Sequence, residues 1–270
     1  MDVRLSIAVS GKGGVGKTNL SALLIRRLSK LGSVLAIDAD PDSNLPQALG
    51  VPVTKTVGDS REAILNAPAR SEIAKDKRKA LEKSMYEVVE EFPQFDLVVM
   101  GRPEGSGCYC GVNSIVSRII DYIASSYNFT LVDCEAGLEH LSRRTTRDVD
   151  IIIVVTEPTK NGVLTAKRVK ELAKELSIQF GWIMIIANKV TPEVKPMVDR
   201  IAQESGLSID GYVPYDPLMA QFDILGKPVI ELPEDSPASQ AMEEVCTNII
   251  NYAQNREPLT VETKKLEVKL

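Results

Sequence analysis

Short runs of consecutive apolar residues, each followed by a loop and then by an amphipathic stretch, recur along the chain. Strand-sized runs lie at Leu5–Val9, Val34–Ile37, Leu97–Gly101, Thr130–Asp133, Ile151–Thr156, Trp182–Ala187 and Ile209–Val213. Several are apolar at successive rather than alternating positions, the pattern of strands buried on both faces of a parallel sheet. Between them, Val169, Leu172, Ala173 and Leu176 make one apolar stripe at helical spacing. The alternation predicts an α/β fold: a single doubly wound, mostly parallel sheet with helices on both faces, spanning residues 1–256. Ser71–Glu91 breaks the rhythm, with 11 of its 21 residues charged. It reads as a solvated surface helix, or else as a partner-facing insertion. After Gln254 the apolar period fades, and residues 257–270 are expected to form a loosely held tail. The polar face of that tail is not predominantly basic, which argues against a membrane-surface helix.

Composition narrows the class. The 270 residues carry 32 basic and 37 acidic side chains, a net charge of −5, which argues against a nucleic-acid footprint. No apolar run reaches the length of a membrane-spanning helix, and no signal-peptide core precedes the first strand. Four cysteines are too few for a disulfide scaffold and point to a reducing cytosol, where a close pair binds metal or does redox chemistry.

The first strand runs into Gly11-Lys12-Gly13-Gly14-Val15-Gly16-Lys17-Thr18, which satisfies G-x-x-x-x-G-K-[ST] between a strand and a helix. Glycines let backbone N–H groups converge on phosphate oxygens, and the helix N-terminus adds positive potential. Lys17 is expected to reach the β and γ phosphates and the Thr18 hydroxyl to hold Mg2+. Lys12 is not required by the loop geometry. It is either a solvated surface lysine or a cation that acts in trans on the phosphates of a second subunit.

Lys12-Gly13-Gly14-Val15-Gly16-Lys17-Thr18 resembles the deviant Walker A motif of the MinD/nitrogenase-iron-protein superfamily. The resemblance implies an ATPase in which the lysine matching Lys12 crosses a nucleotide-sandwich homodimer. Asn19 departs from the pattern, where a second Ser or Thr is usual at this α-phosphate contact.

The second strand ends in Asp38-Ala39-Asp40-Pro41-Asp42, so carboxylates fall at a strand's carboxyl end beside the phosphate loop. A capping or turn cluster is the plainer reading. The segment resembles switch I of the family, which implies that Asp40 places the attacking water and that Asp38 sits near Mg2+. Thr130–Asp133 is an apolar run ending in an acid, so Asp133 is expected to hold a Mg2+-bound water. Asp133-Cys134-Glu135-Ala136-Gly137 resembles switch II, with the Gly137 N–H sensing the γ-phosphate. The amide of Asn188 has the donor and acceptor for a purine edge. The resemblance assigns it to adenine, with Pro214 and Tyr215 as the other wall. Thr191 stands where a guanine-specific motif has Asp, which favours ATP over GTP.

Gly107-Cys108-Tyr109-Cys110-Gly111 is the most discriminating feature. Two thiolates cannot complete a four-ligand site alone. A two-fold axis through the loop would bring Cys108 and Cys110 of both subunits together. The pair precedes a helix expected at Val112–Ser125, whose N-terminus favours thiolates. Four thiolates suit Zn2+, Ni2+ or a bridging Fe–S cluster, and two free buried thiols are the plain alternative. Cys134 and Cys246 read as core cysteines, and His140 as structural. The Cys-x-Cys, with Glu139-His140-Leu141-Ser142-Arg143 after switch II, resembles the CooC-type accessory ATPases over about residues 4–253. That resemblance implies a cytoplasmic homodimer that inserts nickel into a client enzyme, carbon monoxide dehydrogenase or acetyl-CoA synthase. An iron-protein-like reductase and a MinD-like positioning ATPase are the other readings.

Overall fold

The consecutive apolar runs become strands with a core on each face. A computed structural model describes residues 3–67, 80, 83–84, 86–101, 120–136, 148–175 and 179–255. In chain order these form β1 (Leu5–Gly11), α1 (Lys17–Leu28), β2 (Val34–Asp38), α2 (Leu45–Leu49), α3 (Val57–Leu65), β3 (Glu90–Glu91), β4 (Asp96–Val99), β5 (Phe129–Asp133) and β6 (Asp148–Thr156). There follow α4 (Lys160–Glu175), β7 (Gln179–Val190), α5 (Lys195–Glu204), β8 (Gly211–Pro214), α6 (Pro217–Ile224), a 3-10 turn (Val229–Glu231) and α7 (Pro237–Asn255). The strands make one sheet in the order β3-β4-β2-β5-β1-β6-β7-β8. Every pairing is parallel except that of β3 with β4.

Side chains alternate across the sheet. Ile7, Val9, Val34, Ala36, Leu131, Ile151 and Ile153 join the core beneath α1 and α7. Ala8, Leu35, Ile37, Val132, Ile152 and Val154 join the opposite core, with Ala166, Val169 and Ala173 of α4. A strand sandwiched in this way has no solvent face, so it needs no polar alternation.

All seven expected strands form, with ends shifted by one to three residues. Two expectations need correction. Gly101 adopts φ +68, outside β4. A side chain there would collide with Thr56, since a Cβ would lie 2.6 Å from the Thr56 hydroxyl. The charged segment does not read as helix to its end, because Glu90 and Glu91 pair antiparallel with Leu97 and Asp96. Glu90 accepts hydrogen bonds from Thr54 N (2.7 Å), Thr54 Oγ1 (2.8 Å) and Lys55 N (3.2 Å), so its carboxylate fastens a loop at the sheet edge. Residues 80, 83–84 and 86–87 are helical. The rest of the charged segment, most of the helix expected at 112–125 and the 257–270 tail lie outside the described residues, although 120–124 are helical. Among the described residues no helix is long and apolar enough to cross a membrane.

Three strand ends meet at the centre of the sheet. β1 lies between β5 and β6, and β2 lies beside β5, so Val9 and Asp38 both fall level with Asp133. Chain direction across the sheet reverses here, and crevices at such points receive ligands in doubly wound folds.

β1 closes on Gly11, which has φ +150, and a Cβ there would sit 2.3 Å from the Val155 carbonyl oxygen. No backbone shift short of displacing β6 relieves that contact. Gly11→Ala is expected to lower unfolding free energy by about 2–4 kcal/mol in urea denaturation. Gly13→Ala, whose Cβ meets nothing within 4 Å, is expected to change it by less than about 1 kcal/mol.

Candidate functional site

The loop after β1 is built to leave its donors open. Gly16 caps α1 at φ +94, no side chain caps the helix, and its first turn carries no acidic residue. The first N–H groups of α1 therefore keep their partial positive charge for an external anion. Lys12, Gly13 and Gly14 are exposed, while Val15 is buried and anchors the loop from below. The Lys17 ammonium, itself buried, turns back to the Lys12 carbonyl at 3.4 Å.

Asn188 braces the same loop from β7. Its Nδ2 donates to the Val15 carbonyl at 2.8 Å, and its Oδ1 accepts from Lys189 N at 2.9 Å. Gly16 makes room for this brace, because a Cβ on it would come within 2.6 Å of Asn188 Nδ2. Lys189 adopts φ +59 beside a register shift between Ala187 and Val190, a local irregularity that re-aims the side chains around it. In this structure the Asn188 amide is thus engaged with the phosphate loop itself.

Two carboxylates lie behind the loop. Asp133, 1% exposed, accepts from the Thr18 hydroxyl at 2.7 Å and from the Ser21 hydroxyl at 3.0 Å. Burial is the main force raising its pKa, to about 6, and the hydroxyls and Lys17 act against it. Asp38 is fully buried. Its Oδ1 accepts from Asp40 N at 3.0 Å and its Oδ2 from Leu45 N at 2.9 Å, so both oxygens hold the following loop in shape. Burial, and next the neighbouring Asp133, raise its pKa to about 7 against these backbone bonds. Asp40 lies half-buried beyond this latch and accepts from Asp42 N at 3.0 Å.

Between these elements opens a cleft of about 760 Å³. Gly13, Gly14, Gly16, Lys17, Thr18 and Asn19 line one part, with Asp40, Asn44 and Gln47 beside them. Tyr215, Met219, Ala220, Ile224 and Val229 give another part an apolar lining, and Asn188, Lys189, Glu135 and Ala136 also contribute. An anion-binding loop joined to an apolar wall fits a ligand with a phosphate chain and a flat ring. Pro214 ends β8 opposite Val190 and is not among the lining residues.

The expected cation site has a testable donor set. Thr18 and Asp133 point at each other within hydrogen-bond distance, and hydroxyl and carboxylate oxygens are the hard ligands Mg2+ takes. The residues therefore fit the ion. Sequence reasoning missed Ser21, although it follows Thr18 by three residues on one helix face. It also missed the α6 wall, where Met219, Ala220 and Ile224 are ordinary apolar residues and Asp223 lines the cleft beside them. The one local signal there is Asp216-Pro217, a helix start that Asp216 caps by accepting from Leu218 N at 2.9 Å. Cys108, Cys110, Gly137, His140 and Arg143 lie outside the described residues. Among the described residues no group of three or more His, Cys, Asp or Glu could hold a metal ion. Cys134 and Cys246 are buried free thiols. Burial pushes both pKa values up, that of Cys246 to about 11, so both stay protonated and inert.

Comparison with known proteins agrees with this geometry. The chain is 51% identical over 248 residues to an uncharacterized ATP-binding protein of Methanocaldococcus jannaschii, covering 91% of this chain and 98% of that one. It is 33% identical over 253 residues to the carbon monoxide dehydrogenase accessory protein CooC of Rhodospirillum rubrum, covering 87% and 91%. Its fold superposes on the MinC:MinD cell division protein complex of Aquifex aeolicus with a TM-score of 0.69 at 23% identity, over 94% of this chain and 98% of that chain. The CobQ/CobB/MinD/ParA nucleotide binding domain matches residues 6–229, and with the phosphate loop and its buried carboxylates in place, the chain belongs to that family.

Proposed function

We propose that the protein is a homodimeric ATPase that couples ATP binding and hydrolysis to delivery of nickel to a client metalloenzyme, carbon monoxide dehydrogenase or acetyl-CoA synthase. The observation that carries the ATPase part is the uncapped N-terminus of α1, opening into the cleft with Lys17 and the Thr18–Asp133 pair beside it. The nickel part is supported by the Cys108-Tyr109-Cys110 sequence and by the similarity to the CooC accessory protein.

Each residue has a definite task in this reading. The backbone of residues 13–16 and the Lys17 ammonium bind phosphate oxygens. Thr18 and Asp133 would hold Mg2+, with the Ser21 hydroxyl keeping Asp133 aimed. The ion supplies charge neutralisation of the phosphates when bound. Asp38 fixes the loop that carries Asp40, and Asp40 orients the attacking water. Gly137 senses the γ-phosphate, and the apolar wall with Tyr215 takes the adenine. Lys12 is solvent-exposed, free to reach the nucleotide of a second subunit. Closure of the dimer brings the partner's copy of the cysteine pair to Cys108 and Cys110, making a four-thiolate site for nickel as cargo. Zn2+ competes for such a site. By linkage, metal tightens the nucleotide-bound dimer by the same factor as nucleotide tightens metal.

Two outcomes follow. Lys12→Ala is expected to reduce ATP turnover by about 10³-fold, in the range of a charge supplied in trans, while ADP binding to the monomer is retained. Steady-state phosphate release against protein concentration reads this, and unchanged turnover would refute the in-trans role. Anaerobic titration of reduced protein with Ni2+ is expected to load about one ion per two chains and to shift the mass to a dimer. Cys108→Ser/Cys110→Ser abolishes both effects. Thiol-independent binding would remove the delivery role and leave a positioning ATPase, while visible charge-transfer absorbance in anaerobically purified protein would favour an Fe–S reductase.

A further inference from the structure

Three segments far apart in the chain are tied behind the cleft by one guanidinium. Arg26 lies in the last turn of α1 and is buried. One terminal nitrogen donates to the Ile230 carbonyl at 2.7 Å and to the Leu232 carbonyl, and the other to Ser239 Oγ at 2.8 Å. Ile230 belongs to the 3-10 turn, Leu232 follows it, and Ser239 is in the first turn of α7. This turn packs against α1, α2 and α6. Lys227 and Val229, at its start, line the cleft. Asp216 completes the arrangement from α6. Its Oδ1 accepts from Leu218 N (2.9 Å) and Met219 N (3.3 Å), and its Oδ2 from Ala238 N of α7 (3.1 Å).

The apolar wall of the cleft thus hangs from two buried charged groups. The phosphate loop has braces of its own, Val15 and the Asn188 amide, at the other end of α1 from Arg26. The planar fork of arginine reaches three acceptors in fixed directions, and a lysine ammonium on a flexible stem cannot reproduce that set. Arg27, next in sequence, is a different case, since it pairs with the exposed Glu234 and Glu243 at 3.5 and 3.2 Å, whereas Arg26 holds the backbone that follows the cleft-lining Val229.

We infer that Arg26 is a positioning residue for the nucleotide's base. It holds the 3-10 turn and, through α7 and Asp216, helix α6 at the spacing the ring needs, and has no part in the phosphate grip. This rests on the nucleotide reading above and adds a division of labour to it. Phosphate affinity belongs to the loop at the N-terminus of α1, and base affinity to the residue near its C-terminus.

Calorimetric titration with ADP and with inorganic pyrophosphate separates the two. In Arg26→Lys, ADP affinity is expected to fall by about tenfold, the scale of losing one charge-assisted hydrogen bond. Pyrophosphate affinity is expected to stay within about twofold of wild type. Ser239→Ala removes a single bond and is expected to show the same selectivity in smaller measure, and it carries the test if Arg26→Lys does not fold. Parallel losses for both ligands, or undiminished ADP binding, would overturn the assignment. Wild-type protein that bound neither ligand would refute the nucleotide reading itself and this inference with it.

Discussion

A carboxylate buried as deeply as that of Asp133 has to be satisfied, and the way it is satisfied organises the molecule. Removing such a group from water costs several kcal/mol unless donors replace the solvent. Two hydroxyls from one face of α1 do this, Thr18 to one oxygen and Ser21 to the other. Hydrogen bonds to a charged group contribute about 1.5–3 kcal/mol each, so the pair fixes the first turn of α1 against the end of β5. The same turn carries the open N–H groups and Lys17. Anion site and acid are therefore one rigid unit, and the parallel register of β2, β5 and β1 supplies its base.

The second acid solves the same problem differently. Asp38 is level with Asp133 on the neighbouring strand, yet its oxygens face backbone N–H groups of Asp40 and Leu45. That makes it the fastener of a loop. The resemblance implied a place near Mg2+, and in the sheet Asp38 is the register partner of Asp133. Its hydrogen bonds give it a further role, because they set the position from which Asp40 looks into the cleft.

What the sequence disclosed divides along physical lines. Apolar runs buried on both faces leave a strong local signature, so every parallel strand was visible. β3 was not, because two glutamates at a sheet edge carry no apolar pattern and owe their strand geometry to β4 and to the Thr54 amide. The phosphate loop was legible from its motif, and specific contacts demand two of its glycines, Gly11 against Val155 and Gly16 against Asn188. The α6 wall was not legible. Met219, Ile224 and Val229 line the cleft on segments that Arg26 ties to α1 and Asp216 ties to α7, and no spacing rule reports a contact between residues 26 and 230. Asn188 lies between these cases. Its chemistry pointed to a ligand, while the structure shows its amide holding the loop that meets one.

The account stands or falls on the Thr18–Asp133 pair acting as the cation-dependent centre of nucleotide binding. The most direct measurement is ADP affinity with and without Mg2+, in the wild type and in Asp133→Asn. The substitution keeps the shape and an acceptor for a hydroxyl while removing the charge. The account predicts that Mg2+ tightens ADP binding in the wild type by about tenfold or more and has little effect in the variant. An equal Mg2+ effect in both proteins would place the cation elsewhere and contradict it.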